Sequence, residues 1–153
     1  MAGGFSINID NIEIFKEFLI KKYNSLNIKK DNFKNLYLDS IILPTALNAE
    51  FYQNIEVLSP FGTGNPEPKF LIEDLKLANS NIVANQHIKA IFYSKSNDVV
   101  KTIAFNSIGT VFESYLVKNN KSSMNIVGTL KSNNWNGKTN IEFVINDISV
   151  NNI

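Results

Sequence analysis

An α+β segment followed by an all-β OB-fold, a five-stranded Greek-key barrel with one helix between strands 3 and 4, is the fold the sequence predicts. Three observations carry it. Apolar residues recur at helical spacing before residue 58 and at strand spacing from Phe70 onward. Between the two patterns stands Pro60-Phe61-Gly62-Thr63-Gly64-Asn65-Pro66-Glu67-Pro68, too rich in proline and glycine to continue either. Beyond it, three strands, a helix and two strands follow in about 85 residues, which is the OB-fold order.

In chain order, Phe5-Ser6-Ile7 suggests a short strand. Asp10 with Glu13 three residues later reads as a capping box. Ile14, Phe15, Phe18, Leu19 and Lys22/Tyr23 then recur at helical spacing, so a helix is expected from about Asn11 to Tyr23. Phe33 to Leu43, with Leu36, Leu38, Ile41 and Ile42, reads as a strand. Pro44-Thr45 opens a helix carrying Leu47, Phe51, Ile55 and Leu58 on one face. Phe70 to Ala78 is the first barrel strand, followed by a polar loop, Asn79-Ser80-Asn81, and a short return through Ile82 and Val83. His87 to Tyr93 alternates His87, Lys89, Ile91 and Tyr93 against Ile88, Ala90 and Phe92. After a turn at Ser94-Lys95-Ser96-Asn97-Asp98 comes Val99 to Phe105. Ile108, Val111, Phe112, Tyr115 and Leu116 mark the helix. Met124 to Lys131 and Thr139 to Val150 are the last strands, and the Asn136-Gly137 pair in the segment joining them is a hairpin signal.

Two readings of the Pro/Gly stretch stand side by side. It is an ordinary interdomain turn, or it is a rigid elbow in which prolines fix their own φ, Gly62 and Gly64 permit φ > 0, and Phe61 anchors the loop apolarly. A flexible linker has no need of Phe61. Asn65 is expected to hydrogen-bond the turn backbone, and Glu67, between Pro66 and Pro68, to be exposed or capping.

At 153 residues the chain holds one ordinary domain, or one small domain plus part of another. Neither a roughly 20-residue apolar run nor a basic-then-apolar leader is present, so a soluble, cytoplasmic protein without membrane contact is expected. With no cysteine, disulfides and thiolate metal sites are excluded. All fifteen cations are lysine. Six lysines stand against eight acids before Lys69, and nine against six from it onward, a mild basic bias. Without arginine, phosphate contacts would be point charges rather than bidentate forks.

The run Leu58-Ser59-Pro60-Phe61-Gly62-Thr63-Gly64-Asn65-Pro66-Glu67-Pro68-Lys69-Phe70 resembles the L-x-P-F-G-x-G-N-P-x-P-x-F signature of the RecJ family, single-strand-specific DNA exonucleases of the DHH phosphoesterase superfamily. Met1-Ala2-Gly3-Gly4-Phe5-Ser6-Ile7 resembles the tail of that family's G-G-H-x-x-A-x-G loop, without its His. Asn134-Trp135-Asn136-Gly137 resembles its N-x-W-x-G turn, with slightly different spacing. The resemblance implies a C-terminal fragment: residues 1–58 as the remnant of a DHH-associated domain, 59–69 as the elbow (Pro60, Phe61, Gly62, Gly64, Asn65, Pro66, Pro68), and 70–153 as a nucleic-acid-binding OB-fold. It implies a 5′-to-3′ exonuclease of DNA repair and recombination that uses Mn²⁺ or Mg²⁺ on residues outside this chain. Its partners would be single-stranded DNA, the enzyme's own N-terminal catalytic domains and a single-strand-binding protein.

No catalytic or metal-ligating residue is expected in the chain itself. A two-metal hydrolase needs clustered Asp and His, and this sequence has one His and scattered acids. A single-strand-binding barrel instead needs cations for phosphates and exposed aromatics for bases, on strands 2 and 3 and the loops joining strands 1–2 and 4–5. His87, Lys89 and Tyr93 share a face of strand 2, Lys101 opens strand 3, and Lys131, Trp135 and Lys138 sit at the last hairpin. Each has an alternative: Tyr93 as a rim residue of the core, His87 as a satisfied strand histidine, Trp135 as a hairpin cover, the lysines as solvated edges. Two further functions stay open, a protein-docking or scaffold module and a translation-related RNA-binding module.

Overall fold

The period-2 pattern after Phe70 folds into five strands because alternate residues bury on one side and meet water on the other. They are β2 (Phe70–Val83), β3 (His87–Tyr93), β4 (Val99–Ala104), β5 (Met124–Trp135) and β6 (Lys138–Val150), preceded by a short β1 (Ser40–Ile41). A computed structural model describes residues 4–26, 35–117, 122–135 and 138–151, with backbone alone at 134, 135, 138 and 139. β2, β3 and β4 form an antiparallel meander, β4 pairs parallel with β6, β6 antiparallel with β5, and β5 antiparallel with β2. That last pairing closes the sheet into a barrel with OB-fold topology. β1 adds to β2 in parallel outside the ring.

Inside sit Ile72, Leu75, Ile88, Phe92, Val100, Met124, Ile126, Leu130 and Phe143, all fully or almost fully buried. Helix α3 (Val111–Leu116) contributes Leu116 to this core, with Phe112 and Tyr115 packed against it. α3 begins at 111 rather than 108, because Gly109 adopts φ +77 and Thr110 caps the helix, its hydroxyl accepting from the Phe112 N–H at 3.2 Å. The Gly109 N–H donates to Glu113 at 2.7 Å.

Several sequence-based boundaries shift for local reasons. The loop expected at Asn79-Ser80-Asn81 is strand: β2 continues to Val83, with a register shift between Leu77 and Asn79. The polar residues mislead because this part of the strand pairs with β3 while its Asn side chains stay in water. Ala84 and Asn85 then turn at φ +51 and +55, the left-handed pair a tight hairpin needs. β5 and β6 run on to Trp135 and from Lys138, and these two residues pair. The expected turn at Asn136-Gly137 lies outside the described residues.

The chain divides into units 1–36 and 37–153. In the first, a 3₁₀ turn (Ile9–Asn11) leads into α1 (Ile12–Ser25), and Phe15 packs on Phe5 and Phe18 at ring distances of 4.9 and 6.4 Å. The expected capping box does not form: Asn8 caps the 3₁₀ turn, accepting from the Asp10 N–H, and Glu13 pairs with Lys16 at 3.3 Å. No strand forms at Phe5-Ser6-Ile7. Of the strand expected over Phe33 to Leu43, residues 33–34 lie outside the described residues, and in the second unit only Ser40–Ile41 pairs. The single helix expected from Pro44 is a 3₁₀ turn (Pro44–Ala46) and then α2 (Ala49–Glu56), since Asn48, extended at φ −130, caps the second with its side chain. Ile55 of α2 joins the barrel core, with Leu47, Phe51 and Phe61 packed against it. Residues 37–58 thus share the compact unit of the barrel.

Where β5 shifts register between Val127 and Gly128, the two backbones come so close that a Cβ on Gly128 would collide with the Val144 carbonyl oxygen and lie 2.6 Å from the Phe143 ring. Backbone inside a closed barrel cannot yield cheaply. Gly128→Ala should therefore destabilise the fold by about 1–3 kcal/mol or more, read as a lowered urea midpoint; an unchanged midpoint would mean that β5 shifts freely.

Candidate nucleic-acid interface

Strand alternation and register decide which predicted side chains meet. On the outer side of β2-β3-β4 the pairings set out three rows: Asn81 beside Lys89 beside Ile103, which is buried, Asn79 beside Ile91 beside Lys101, and Lys76 beside Tyr93 beside Val99. Lys89 and Lys101 line one groove of about 230 Å³ with Asn79, Asn81, Ile91 and Glu142. Lys101 also borders an adjoining cavity of about 320 Å³, lined in addition by Asn48, Val99, Asn140 and Ile141. At about 3.3 Å per residue, His87 to Tyr93 spans roughly 20 Å of this face.

The lysines differ in charge environment. Lys89 pairs with Glu142 at 3.2 Å, and Glu142 also accepts from Asn133 at 3.3 Å. Lys131, directly opposite Glu142 across β5 and β6, turns instead to Glu67 at 2.7 Å. Glu67 is thus half-buried and ion-paired, neither free in solvent nor a cap. Among the described residues Lys101 makes no ion pair, which leaves its full charge to the groove. These pairs are partly exposed and contribute little to stability, but each sets how much positive potential a phosphate would meet.

His87 is half-buried. Its Nδ1 accepts the Asn106 N–H at 3.0 Å, and its ring meets Phe105 edge-on at 5.1 Å. Tyr93, 43% exposed, lines a separate cavity of about 520 Å³ with Lys76, Leu77, Ser94, Lys95 and Asp74. Backbone pairing joins Trp135 to Lys138; the side chains of both lie outside the described residues.

The elbow is built by hydrogen bonds. Gly62 and Asn65 exchange backbone bonds of 2.8 and 3.1 Å, and the Asn65 amide donates to the Leu58 and Pro60 carbonyls at 2.7 and 3.2 Å. The Ser59–Pro60 bond is cis, and Pro66 and Pro68 lead the chain out toward β2. Neither Gly62 nor Gly64 takes a positive φ, and a Cβ on either would meet nothing within 4 Å. The expected left-handed glycines are not needed because Asn65 closes the turn. At the exit, Lys69 and Asp39 hold each other: the Lys69 N–H donates to the Asp39 carboxylate at 2.8 Å and the Asp39 N–H to the Lys69 carbonyl at 2.9 Å.

Sequence reasoning missed Asp74 and Phe105. Asp74 sits at φ +57 where β2 bulges against β5, a shift between Ile72 and Leu75 that breaks the alternation and leaves no signature in residue type. Its N–H donates to Asn125 at 3.0 Å, and its carboxylate accepts from Lys95 (2.7 Å), Asn151 (3.0 Å) and Ser123 (3.3 Å). The Lys95 ammonium, by its hydrogen bond first and its charge second, holds the Asp74 carboxyl below the ordinary carboxylate value; burial opposes this, while Ser123 and Asn151 add to it.

No cluster of three His, Cys, Asp or Glu that could hold a metal ion occurs among the described residues, and no helix among them is long and apolar enough to cross a membrane. The donor set does not fit a divalent-ion site.

Residues 38–147 match the family model described as the RecJ OB domain. The chain is 25% identical over 152 residues to the single-stranded-DNA-specific exonuclease RecJ of Bacillus subtilis (strain 168), covering 98% of this chain and 19% of that protein. Among solved structures it is similar to RecJ of Thermus thermophilus in complex with Mg²⁺, with TM-score 0.62 and 21% identity over 95% of this chain and 21% of that one. The Mn²⁺ complex of the same protein gives TM-score 0.60 and 21% identity, over 98% and 21%. The chain thus spans about one-fifth of the length of the relatives it matches.

A carboxylate whose folded pKa is depressed stabilises the fold above its unfolded value, 3.8 here, and that contribution is lost as pH falls through the folded value. Asp74→Asn should therefore lower the urea midpoint at neutral pH and flatten its fall on acidification below about pH 4. Equal acid-induced losses in both proteins would remove Asp74 from the account.

Proposed function

The chain belongs to the RecJ OB-domain family, and from that premise we propose that it is the strand-gripping part of a 5′-to-3′ single-stranded-DNA exonuclease of DNA repair and recombination, acting in the cytoplasm. The observation that carries the reading is the outer face of β2-β3-β4, where Lys89 and Lys101 line one groove and Lys76 and Tyr93 continue the face. Such a face suits a flexible polyanion: lysines track phosphates as point charges, exposed rings take bases, and no fixed fork reads sequence. Duplex is disfavoured because stacked, paired bases cannot turn their faces to the sheet.

Bond breaking belongs to the rest of the enzyme. The divalent metal, Mg²⁺ or Mn²⁺, would be held by residues of its catalytic domains, since the described residues here offer no ligand cluster; this chain alone would be inactive. Residues 1–58 would derive from the DHH-associated domain, 59–69 would be the elbow and 70–153 the barrel domain, with residues 37–58 packed in the barrel's own compact unit. A docking role toward those catalytic domains is supported by the exposed Ile41, Leu43, Val57 and Leu58 and by an apolar cavity of about 440 Å³ lined by Phe51, Ile55, Leu58, Pro68 and Phe70. A single-strand-binding protein would hand on the substrate.

Titrating the chain with a fluorescent oligodeoxythymidylate tests the reading. The logarithm of affinity should fall linearly with the logarithm of salt, by about 0.7 per phosphate neutralised. Lys101→Ala should remove about one such unit, Lys131→Ala less, because Glu67 already holds that charge. Glu142→Gln should tighten binding by releasing Lys89. Absence of binding at low salt would overturn the proposal.

A further inference from the structure

We infer that Phe105 is a base-stacking platform at the end of this face and that His87 is its positioning residue rather than a contact to DNA. The inference rests on the single-stranded-DNA reading above and adds to it a site and a chemistry: a nucleobase laid on an aromatic ring just beyond the lysines.

Four observations lead there. β4 ends at Ala104, which pairs with Ile88, so Phe105 follows opposite His87, as Ile103 lies opposite Lys89 and Lys101 opposite Ile91. Phe105 itself begins the turn after β4, and its ring contact with His87, two residues before Lys89 on β3, sets it at the end of the face that carries Lys101. Phe105 is 53% exposed, although a Phe at a barrel strand end could have turned into the core that the preceding Ala104 enters fully. A lone exposed apolar residue would need no explanation, but this one is braced.

The brace is His87. Its ring meets Phe105 at 5.1 Å and 76°, and it is itself fixed by the Asn106 N–H on Nδ1 at 3.0 Å, with Asn106 left-handed at φ +48. The Gln86 carbonyl accepts from the Ser107 and Ile108 N–H groups at 2.9 and 3.3 Å, stitching the β2-β3 hairpin to the segment after β4. The platform is therefore held in place before any strand arrives, so binding has little side-chain entropy left to remove. With its Nδ1 committed and its ring against Phe105, the half-buried His87 has less to offer a phosphate than the more exposed ammonium of Lys89. The charge on the same face selects the occupant: a base reaching Phe105 belongs to a backbone whose phosphates fall beside Lys89 and Lys101.

The test compares Phe105→Leu with Phe105→Tyr in the full chain, using an oligodeoxythymidylate of roughly 12 nucleotides and an abasic oligomer of equal length. Leucine keeps the apolar bulk and removes the π face. Loss of one stacked base should weaken oligodeoxythymidylate binding by about 5- to 150-fold in the Leu variant, leave the Tyr variant near wild type, and leave all three proteins equal on the abasic oligomer. A Leu variant that binds oligodeoxythymidylate as wild type does, while Lys101→Ala weakens it, would overturn the stacking platform and leave the single-strand reading intact. An equal loss on the abasic oligomer would likewise overturn it, showing that the ring supports the loop instead. If no protein binds either oligomer at low salt, the underlying reading fails and the platform with it.

Discussion

Everything on the outer face depends on the antiparallel pairing of β2 with β5, which turns an open sheet into a closed ring. The pairing runs from Phe70 with Gly128 to Leu75 with Met124 and is interrupted once, between Ile72 and Leu75. A strand long enough to pair with β5 at one end and β3 at the other must bend sharply, and a bulge is how a strand bends. Asp74 takes the strained position at φ +57, and its carboxylate gathers Lys95, Ser123 and Asn151 around the bend. Gly128 answers it on β5, where the neighbouring backbone leaves no room for a Cβ. With both in place the interior fills without a buried side-chain N or O left unpaired among the described residues.

Closure also sets the electrostatics of the face. Parallel pairing of β4 with β6 brings Glu142 beside the β3-β4 face, where it meets Lys89, while β5 carries Lys131 past it to Glu67. Two of the lysines that composition counts as free are thus already engaged, while Lys101 and Lys76 on the same face make no ion pair among the described residues. A modest net charge is compatible with a strand-binding surface when one sign is held back on one residue and left open on the next.

The elbow is a second constraint of a different kind. Asn65 binds two carbonyls upstream, Lys69 and Asp39 clasp at the exit, and Glu67 reaches Lys131 on β5. The segment that enters the barrel is therefore also attached to the strand beside its groove, which ties α2 and the residues from 37 onward to that side of the barrel.

The order of the barrel's strands and helix was legible in the chain, as was the inward set Ile88, Ala90 and Phe92 of β3, because alternation of apolar and polar side chains is a local property that survives without knowledge of partners. It also carried the elbow, since the Pro60 to Pro68 run and its match to a family signature need no coordinates. Folding in three dimensions added the departures from local rule: β2 continuing through Asn79 to Val83, the bulge at Asp74, Gly128 as a point of close backbone approach, and the contact of His87 with Phe105 and the Asn106 N–H. Register and closure come from residues dozens of positions apart, so no window of the chain could show that Phe105 stands beside His87, or that Glu142 and not a phosphate is the present partner of Lys89.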